Sequence, residues 1–371
     1  MPQSQPAPQS SDELPLWLTL GQISGLGNAG ICQLLAKFGS PEGIFSSGVR
    51  QLRQVVDPEI AQKISKGVDV DAIAPTLTWL KKDNAHFITL ADAAYPQKLL
   101  EISNPPAMLF AIGHLHWLNH PSIAMVGSRS ATPQGEKNAE NFAQSLCDGG
   151  LCVVSGMALG IDGAAHRGAL KSNGGTIAVV GTGLDIVYPA RHRDLAHKIA
   201  ERGLMISEFS LGTPSKAQNF PRRNRLISGL SLGCLVVEAN IDSGSLITAR
   251  LAAEQGREVF AIPGSIHSAV SNGCHLLIKQ GAKLVESTAD ILEEINISTQ
   301  STSPYGSLAH SGQTTLEGNP LLASMGFDPI NFDSLLAVSG LTAEALSAML
   351  MVLELEGKVT SITGGQYQRL I

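Results

Sequence analysis

The feature that most limits the fold of this chain is a regular alternation of apolar strands and helical segments between residues 122 and 287. The strands lack a two-residue alternation of polar and apolar side chains, which is typical of strands covered on both faces. Helical spacing between them, as at Ala139, Phe142 and Leu146, predicts right-handed crossovers. The sequence therefore predicts an α/β fold with a doubly wound parallel sheet. The predicted strands are 123–126, 151–154, 176–180, 204–207, 234–238, 259–262 and 283–286.

The remainder of the 371 residues is too long to join this sheet in one core, so further domains are expected. A Pro-, Gln- and Ser-rich tail at 1–12 is predicted to be disordered, and 13–85 to form a small helical domain. Within it, Gly25-Leu26-Gly27 between two helical segments resembles a helix-hairpin-helix. Its flanks are not basic, so a structural helical domain is favoured over a DNA clamp. The sheet domain is assigned to 86–296 and a flexible linker to 297–325.

The last segment, 326–371, predicts a winged helix. Leu335-Leu336 precede the turn Ser339–Thr342, a second helix follows at 345–355, and Gly364-Gly365 close a two-stranded wing. Such a module ordinarily places its second helix in the major groove of DNA. This one contains five acidic residues against Lys358 and Arg369, so a role in protein contact is expected instead.

Composition limits where this protein acts. The five cysteines are scattered and never spaced Cys-x-x-Cys, which indicates reduced thiols and no zinc site. No apolar signal core and no apolar run long enough to span a bilayer occur, so we expect a cytoplasmic protein with no membrane partner. The net charge is −6, yet 191–225 contains eight basic and three acidic residues. A focused positive patch on an acidic body favours a defined polyanion site.

Small and hydroxyl residues follow five successive strands, where open parallel sheets bind their ligands. They include Ser128-Arg129 and Ser243-Gly244-Ser245, which allow a polyanion to approach backbone amides. The segment Phe220-Pro221-Arg222-Arg223-Asn224-Arg225 adds arginines that bind phosphate and a ring on which a base stacks. These residues together predict an anion or nucleotide site.

The sequence matches the motifs of common enzymatic sites poorly. No Gly-x-Gly-x-x-Gly follows the first strand and no Walker loop occurs, so dinucleotide binding and ATP hydrolysis are not expected. Asp162 and His166 stand four residues apart on a predicted helix, where Asp162 is expected to cap the helix and His166 to position it. Glu208 and Glu238 are a possible carboxylate pair whose separation the sequence leaves open. No cofactor is implied by these residues.

Taken together, the motifs closely resemble the DprA/Smf family of DNA-processing proteins. The resemblance extends over about 160 residues, and the matching motifs are Val126–Arg129, Ser155–Asp162 with Ala165-His166, Tyr188-Pro189, Ser207-Glu208, Phe220–Ser231, Val237–Ala239, Ser243–Ala249, Gly256–Gly264 and Leu277–Ala282. It departs from the family pattern at His192 and around 267–272. The flanking helical domain, comparable to a SAM or helix-hairpin-helix module, and the winged helix also fit the family.

The resemblance implies an extended Rossmann-like domain that binds single-stranded DNA without catalysis. Family members protect incoming strands in natural transformation and help load RecA recombinase, usually as homodimers. Arg129 and Arg223 would bind phosphates and Phe220 would stack on a base, while Arg225 would either join them or hold Glu208 or Glu238 internally. The residues implied for the strand pocket are Ser128, Arg129, Lys216, Phe220, Arg223, Asn224, Arg225, Ser243, Gly244 and Ser245.

Two other functions remain open. Lysine-decarboxylase-like phosphoribohydrolases share a similar core and bind phosphate through Pro-Gly-Gly-x-Gly-Thr-x-x-Glu. Here Ser243-Gly244-Ser245 lacks that Pro-Gly-Gly, and Thr248 stands where the catalytic glutamate is expected. The third possibility is a recombination adaptor whose chief role is protein contact and whose DNA affinity is secondary.

Overall fold

The structure is a computed structural model that describes residues 13–295 and 320–370. The predicted tail at 1–12 and most of the predicted linker lie outside the described residues. The predicted C-terminal boundary of that linker was wrong, because residues 320–324 form a helix and Leu321 and Met325 are buried in the core of the winged helix. Leucine and methionine in this segment belong to a packed face, which the surrounding Ser-, Thr- and Gly-rich composition obscured.

The N-terminal domain consists of six short helices, and local residues favour the start of most of them. Proline occupies the first helical turn of three of them, where its missing N–H is not needed. Ser40 and Asp69 accept hydrogen bonds from backbone amides and cap two helices. The apolar faces of the first five helices meet around Trp17, Leu34 and Ile64, whereas the sixth packs through Ile73 in a separate cluster with Leu18. The helices are α1 (Leu14–Gln22), α2 (Asn28–Phe38), α3 (Pro41–Ser46), α4 (Val49–Leu52), α5 (Pro58–Ser65) and α6 (Val70–Trp79).

The central domain is built on a nine-stranded sheet in the order β1-β2-β6-β5-β4-β3-β7-β8-β9. Strands β3 to β9 pair in parallel, which confirms the predicted doubly wound sheet. The prediction missed β1 and β2, which extend the edge at β6 in antiparallel pairing. The strands are β1 (Ala85–Thr89), β2 (Met108–Gly113), β3 (Ser122–Val126), β4 (Cys152–Ser155), β5 (Thr176–Val179), β6 (Leu204–Ser207), β7 (Gly233–Val236), β8 (Glu258–Ala261) and β9 (Lys283–Leu284).

Helices cover both faces of this sheet, as continuous apolar strands require. On β3, Ile123 and Met125 face α8, α9 and α14, while Ala124 and Val126 face α7, α11, α12 and α13. Helix α10 packs on the first of these faces through Leu195. The helices are α7 (Gln97–Leu100), α8 (Pro133–Asp148), α9 (Ile161–Ala169), α10 (Arg193–Arg202), α11 (Asn219–Gly229), α12 (Ser245–Glu254), α13 (Asn272–Lys279) and α14 (Thr288–Glu294). Short 3₁₀ helices lie at Leu115–Asn119, Ala190–His192 and Ala269–Ser271.

The C-terminal domain has the predicted winged-helix layout. Gly340 adopts a left-handed conformation between the two main helices, and Thr342 caps the second of them. Its three-stranded sheet has the order β10-β12-β11. The elements are α15 (Pro320–Ser324), β10 (Ile330–Asn331), α16 (Phe332–Ser339), α17 (Ala343–Leu355), β11 (Val359–Ile362) and β12 (Gln366–Arg369).

Two further properties concern the described residues as a set. All five cysteines lie within them, each with a free thiol, and four of the thiols are buried. Across 13–295 and 320–370, no single helix combines the length and apolar character needed to cross a membrane. The pair α16 and α17 meets those two criteria only jointly, with a bend of 108° between its helices.

Candidate functional site

The candidate site lies at the carboxyl ends of β3, β4, β5 and β7, where the strand order reverses between β3 and β7. Backbone hydrogen bonds tie the loops together: Ser128 N donates to Glu238 O at 2.7 Å, and Ile161 N donates to Ser128 O at 3.2 Å. Gly160 has a φ of 72°, and a Cβ atom there would lie 2.3 Å from Ser128 O. Only glycine allows this close approach of the two loops.

Two polar side chains of helix α11 bind it to this edge of the sheet. Asn219 Nδ2 donates to Gly181 O at 3.0 Å, and the Arg223 guanidinium donates to the carbonyls of Gly156 and Val179. Arg223 is only 4% exposed, and its burial lowers the pKa of its guanidinium to about 10. The structure therefore does not present Arg223 for the predicted phosphate contact, because its donors face internal carbonyls.

Arg225 forms an internal ion pair with Glu208, one of the two arrangements predicted for it. Two guanidinium nitrogens reach the two carboxylate oxygens at 3.0 and 2.8 Å, and the Glu208 side chain is 4% exposed. Glu238 instead accepts hydrogen bonds from the backbone N and the hydroxyl of Thr132 at the start of α8. The two glutamates thus have separate partners and do not form a carboxylate pair.

Asp162 and His166 also have separate partners. Asp162 accepts a hydrogen bond from Ala158 N at 3.2 Å, whereas Gly160 is the residue at the N-cap of α9. His166 Nδ1 lies 2.7 Å from the Thr176 hydroxyl, which donates its own hydrogen to Val153 O. His166 therefore donates from Nδ1, and burial lowers the pKa of its ring to about 3. The pair is structural in this arrangement, and burial raises the pKa of Asp162.

The part of the site open to solvent, here named the Arg129 cluster, consists of the exposed Arg129 and Tyr188 and the half-buried Phe220. The Arg129 guanidinium carbon lies 5.6 Å from the centre of the Phe220 ring, and Tyr188 and Phe220 ring centres are also 5.6 Å apart. Within the described residues, no carboxylate forms an ion pair with Arg129. The cluster therefore presents a cation and aromatic faces to a ligand.

The other predicted residues surround this cluster less closely. Lys216 is exposed in the loop before α11, and Asn224 Oδ1 accepts a hydrogen bond from Arg223 Nε at 3.0 Å. The Ser243 and Ser245 hydroxyls are 2.7 Å apart at the start of α12, and Gly244 between them is exposed. The Ser128 hydroxyl accepts from Ser130 N at 3.2 Å. Among the described residues, no side-chain hydrogen bond, ion pair or ring contact joins these groups to Arg129 or Phe220, so their part in one pocket stays a prediction.

The predicted set missed Tyr188 of this cluster and a further exposed arginine on α11, Arg222. Tyr188 is 49% exposed beside Phe220, and the Tyr188-Pro189 motif was the available signal for it. Arg222 has a side chain 53% exposed and stacks 5.4 Å from the Phe209 ring centre, with Glu208 3.6 Å away. Its position in the arginine-rich segment was the signal. Among the described residues, no group of three His, Cys, Asp or Glu side chains is arranged to hold a metal ion.

Comparison with known proteins now identifies the family. Residues 86–296 match the model of the DNA recombination-mediator protein A family, and 309–365 match the DprA winged helix domain. The chain belongs to the DNA recombination-mediator protein A family. This confirms the resemblance inferred from the sequence motifs. It also agrees with the combination of a Rossmann-like sheet and a C-terminal winged helix.

Individual family members are similar over large parts of their length. Protein Smf of Escherichia coli is 43% identical over 304 residues, 81% of each chain. The solved DNA processing protein A of Streptococcus pneumoniae is 39% identical with a TM-score of 0.68, covering 76% of this chain and 97% of that one. That of Helicobacter pylori, described by its single-stranded DNA binding mode, is 28% identical with a TM-score of 0.52, covering 57% and 96%.

Proposed function

We propose that this family member binds single-stranded DNA at the Arg129 cluster, protects incoming strands in natural transformation and helps load RecA onto them. The observation that supports this most is the exposed Arg129 guanidinium, paired with no carboxylate of the described residues and 5.6 Å from the Phe220 ring centre, in a chain of net charge −6. An arginine fork binds a phosphate, and the rings offer faces to unpaired bases. The related H. pylori protein supports the same class of ligand.

The chemistry of the cluster favours single strands and little sequence preference. Bases of a duplex are stacked on each other and hide their faces, whereas unpaired bases stack on Phe220 or Tyr188. Each such stack contributes about 1–3 kcal/mol. Phosphate contacts release counterions, so we expect affinity to fall as salt rises. Lys216, in the loop before α11, and Arg222, on α11, are also exposed and add positive charge to this part of the domain.

Within this proposal, Arg223 and Arg225 position the site and do not bind the strand. Arg223 fixes α11 to the ends of β4 and β5, and Phe220 is three residues before it on the same helix. Arg225 neutralises Glu208, which would otherwise repel phosphate beside the site. Ser128, Asn224 and the Ser243–Ser245 segment are proposed to contribute hydroxyl groups and amides to the phosphate path.

We propose no catalytic step at this site and a cytoplasmic location. Glu208 and Glu238 are occupied by Arg225 and Thr132, and Thr248 is only 1% exposed where a phosphoribohydrolase would need a glutamate. An assay of nucleoside monophosphate hydrolysis tests the enzyme alternative. Release of free base by the wild-type chain at rates above buffer would establish that alternative.

We also propose that the chain is a homodimer through the central domain. Ile266, in the loop after β8, is 77% exposed, and Ile241, in the loop after β7, is 55% exposed. Strands β7 and β8 are neighbours, so these two loops leave the same edge of the sheet. Large apolar side chains exposed together at one edge are typical of a contact surface.

The decisive experiment is a fluorescence-anisotropy titration of wild type and Arg129→Ala with a labelled single strand and its duplex, at two salt concentrations. We expect the single strand to bind more tightly, salt to weaken binding, and Arg129→Ala to weaken it roughly 10- to 100-fold, as for a lost charged hydrogen bond. Arg50→Ala, an exposed arginine on α4, is the matched control and should bind as wild type does. A preference for duplex, or affinity indifferent to salt, would contradict the proposal.

RecA loading needs a separate measurement. Single strands coated with a single-strand-binding protein should acquire RecA faster when the wild-type chain is added, and Arg129→Ala should lose this effect together with DNA binding. If Arg129→Ala lost DNA binding but kept RecA loading, the adaptor alternative based on protein contact would replace the proposal.

A further inference from the structure

Helix α17 of the winged helix is apolar on two sides, of which only one is buried. Leu346, Leu350 and Leu353 are at most 1% exposed and pack into the domain core. On the other side lie five exposed apolar residues, spaced three apart except for the adjacent Met351 and Val352: Ala345, Ala348, Met351, Val352 and Leu355. The last three are 67%, 52% and 84% exposed. A helix with apolar residues on both sides is ordinarily covered on both.

The rim of this exposed face is acidic. Glu344 stands in the first turn of α17, and Glu354 and Glu356 stand at its end. Helix α17 contains no Lys, Arg, Asn or Gln, the side chains with which such helices ordinarily contact DNA. Elsewhere in 326–370, Lys358 is paired with Glu356, and the Arg369 guanidinium donates to Leu322 O. With Glu356 balanced by Lys358, Glu344 and Glu354 make the surface around the face negative.

We propose that the exposed face of α17 is the docking site of another protein, through a basic amphipathic segment with an apolar stripe and flanking Lys or Arg residues. The apolar stripe covers Met351, Val352 and Leu355, and the basic residues face the acidic rim. Such a complementary arrangement gives both affinity and correct orientation.

The same charges disfavour the other occupants. Phosphates of duplex DNA and of anionic lipid are repelled by the glutamates. A second copy packed antiparallel on α17 would bring Glu344 of one chain beside Glu354 and Glu356 of the other, which places like charges together. Residues 1–12 and 296–319 of this chain contain no Lys or Arg, so neither segment supplies the required positive charge.

The test uses the full chain and a labelled synthetic helical peptide with a leucine stripe flanked by lysines. We expect it to bind the wild type, with affinity falling between about 0.05 M and about 0.5 M salt. The double variant Met351→Ser/Leu355→Ser should weaken binding at least about tenfold, as truncation of central apolar contacts does. Val70→Ser removes a comparably exposed valine (64%) on α6 and should change nothing. Circular dichroism verifies that each variant is folded.

A charge variant tests the rim independently of the apolar face. Glu344→Lys should weaken binding of the lysine peptide severalfold at low salt and have little effect at high salt, because salt screens the attraction between the glutamate and the lysines. A peptide with glutamates in place of the lysines should not bind. The proposal would be overturned if the lysine peptide failed to bind, if both peptides bound equally, or if the serine variants bound as wild type.

Alternative occupants give distinct results. If sedimentation of an Ile266→Arg background showed an oligomer that Met351→Ser/Leu355→Ser dissociates, a second copy would occupy the face. Flotation with anionic vesicles that the same double variant abolishes would assign the face to a lipid surface. Either result would replace the basic protein partner.

Discussion

Arg222, Arg223 and Arg225 lie within four residues on α11, yet each has a different environment. Arg222 is about half-exposed and stacks on Phe209, Arg223 is buried against two carbonyls, and Arg225 is paired with Glu208. Successive residues of a helix point in directions about 100° apart, so a run of identical side chains is divided among solvent, sheet edge and interior. One arginine cluster in the sequence thus serves one exposed and two internal roles.

The internal role of Arg225 makes a testable difference. Arg225→Met should lower the free energy of unfolding by about 3 kcal/mol, because it leaves the nearly buried Glu208 carboxylate without its main partner. Urea unfolding measures this loss, while anisotropy should show at most a severalfold fall in single-strand affinity, caused by the unneutralised Glu208, under conditions where the variant is folded. The double variant Glu208→Gln/Arg225→Met should lower the free energy of unfolding by less than the sum of the losses in the two single variants. Normal stability with lost DNA binding would instead make Arg225 a strand ligand.

At the scale of elements, the site depends on loops held close together by glycines. The loop after β4 contains Met157, whose φ of 64° is the one positive value among described residues other than glycine. Two hydrogen bonds hold this loop: Ala158 N donates to the Asp162 carboxylate, and the Arg223 guanidinium donates to Gly156 O. A backbone in this uncommon conformation is stabilised by its surroundings and fixes where α9 begins.

The contact between the loops after β3 and β4 predicts the effect of a single methyl group. Gly160→Ala should lower the free energy of unfolding by about 3 kcal/mol, because its Cβ would meet Ser128 O in addition to the strain of a positive φ. The matched control is Gly256→Ala, with a similar φ of 68° and nothing within 4 Å of its Cβ. The control should cost about 1 kcal/mol. Equal losses in the two variants would show that the close approach is unimportant.

At the scale of the whole molecule, three structural units have different surfaces. The helical domain encloses its own core, the central domain presents the Arg129 cluster at one sheet edge, and the winged helix presents an acidic, apolar helix. The proposed functions divide accordingly, with nucleic acid at the central domain and protein contact at the winged helix. The exposed isoleucines after β7 and β8, farther along the same sheet edge, add a third surface, proposed for self-association.

That third surface predicts a change in mass. Ile266→Arg should convert the homodimer to monomer in size-exclusion chromatography with light scattering, because it places a charge in an apolar contact. Val70→Arg, at a similarly exposed apolar position on α6, should remain dimeric. A wild-type chain that is monomeric at all concentrations, or an Ile266→Arg variant that stays dimeric, would contradict this location of the interface.

Much of the fold and part of the candidate site followed from the sequence. Strands buried on both faces have a continuous apolar pattern, and the winged helix has its turn residues at Gly340 and Gly364-Gly365. These signals are local. Each residue of a strand covered on both faces must itself be apolar, whatever lies elsewhere in the chain. The antiparallel strands β1 and β2 were missed, since β2 takes its place through pairing with β6 across more than 90 residues and β1 pairs only with β2.

The roles of the individual site residues were decided by tertiary structure alone. The sequence determined that arginines, an aromatic ring and small residues would gather at the strand ends, because parallel strands deliver their following loops to one edge. It did not determine that Arg129 faces solvent beside Phe220 and Tyr188 while Arg223 and Arg225 turn inward. That outcome depends on how α11 packs against β5 and Glu208. A charged side chain is buried without a large free-energy cost only where carbonyls or a carboxylate lie within hydrogen-bonding distance.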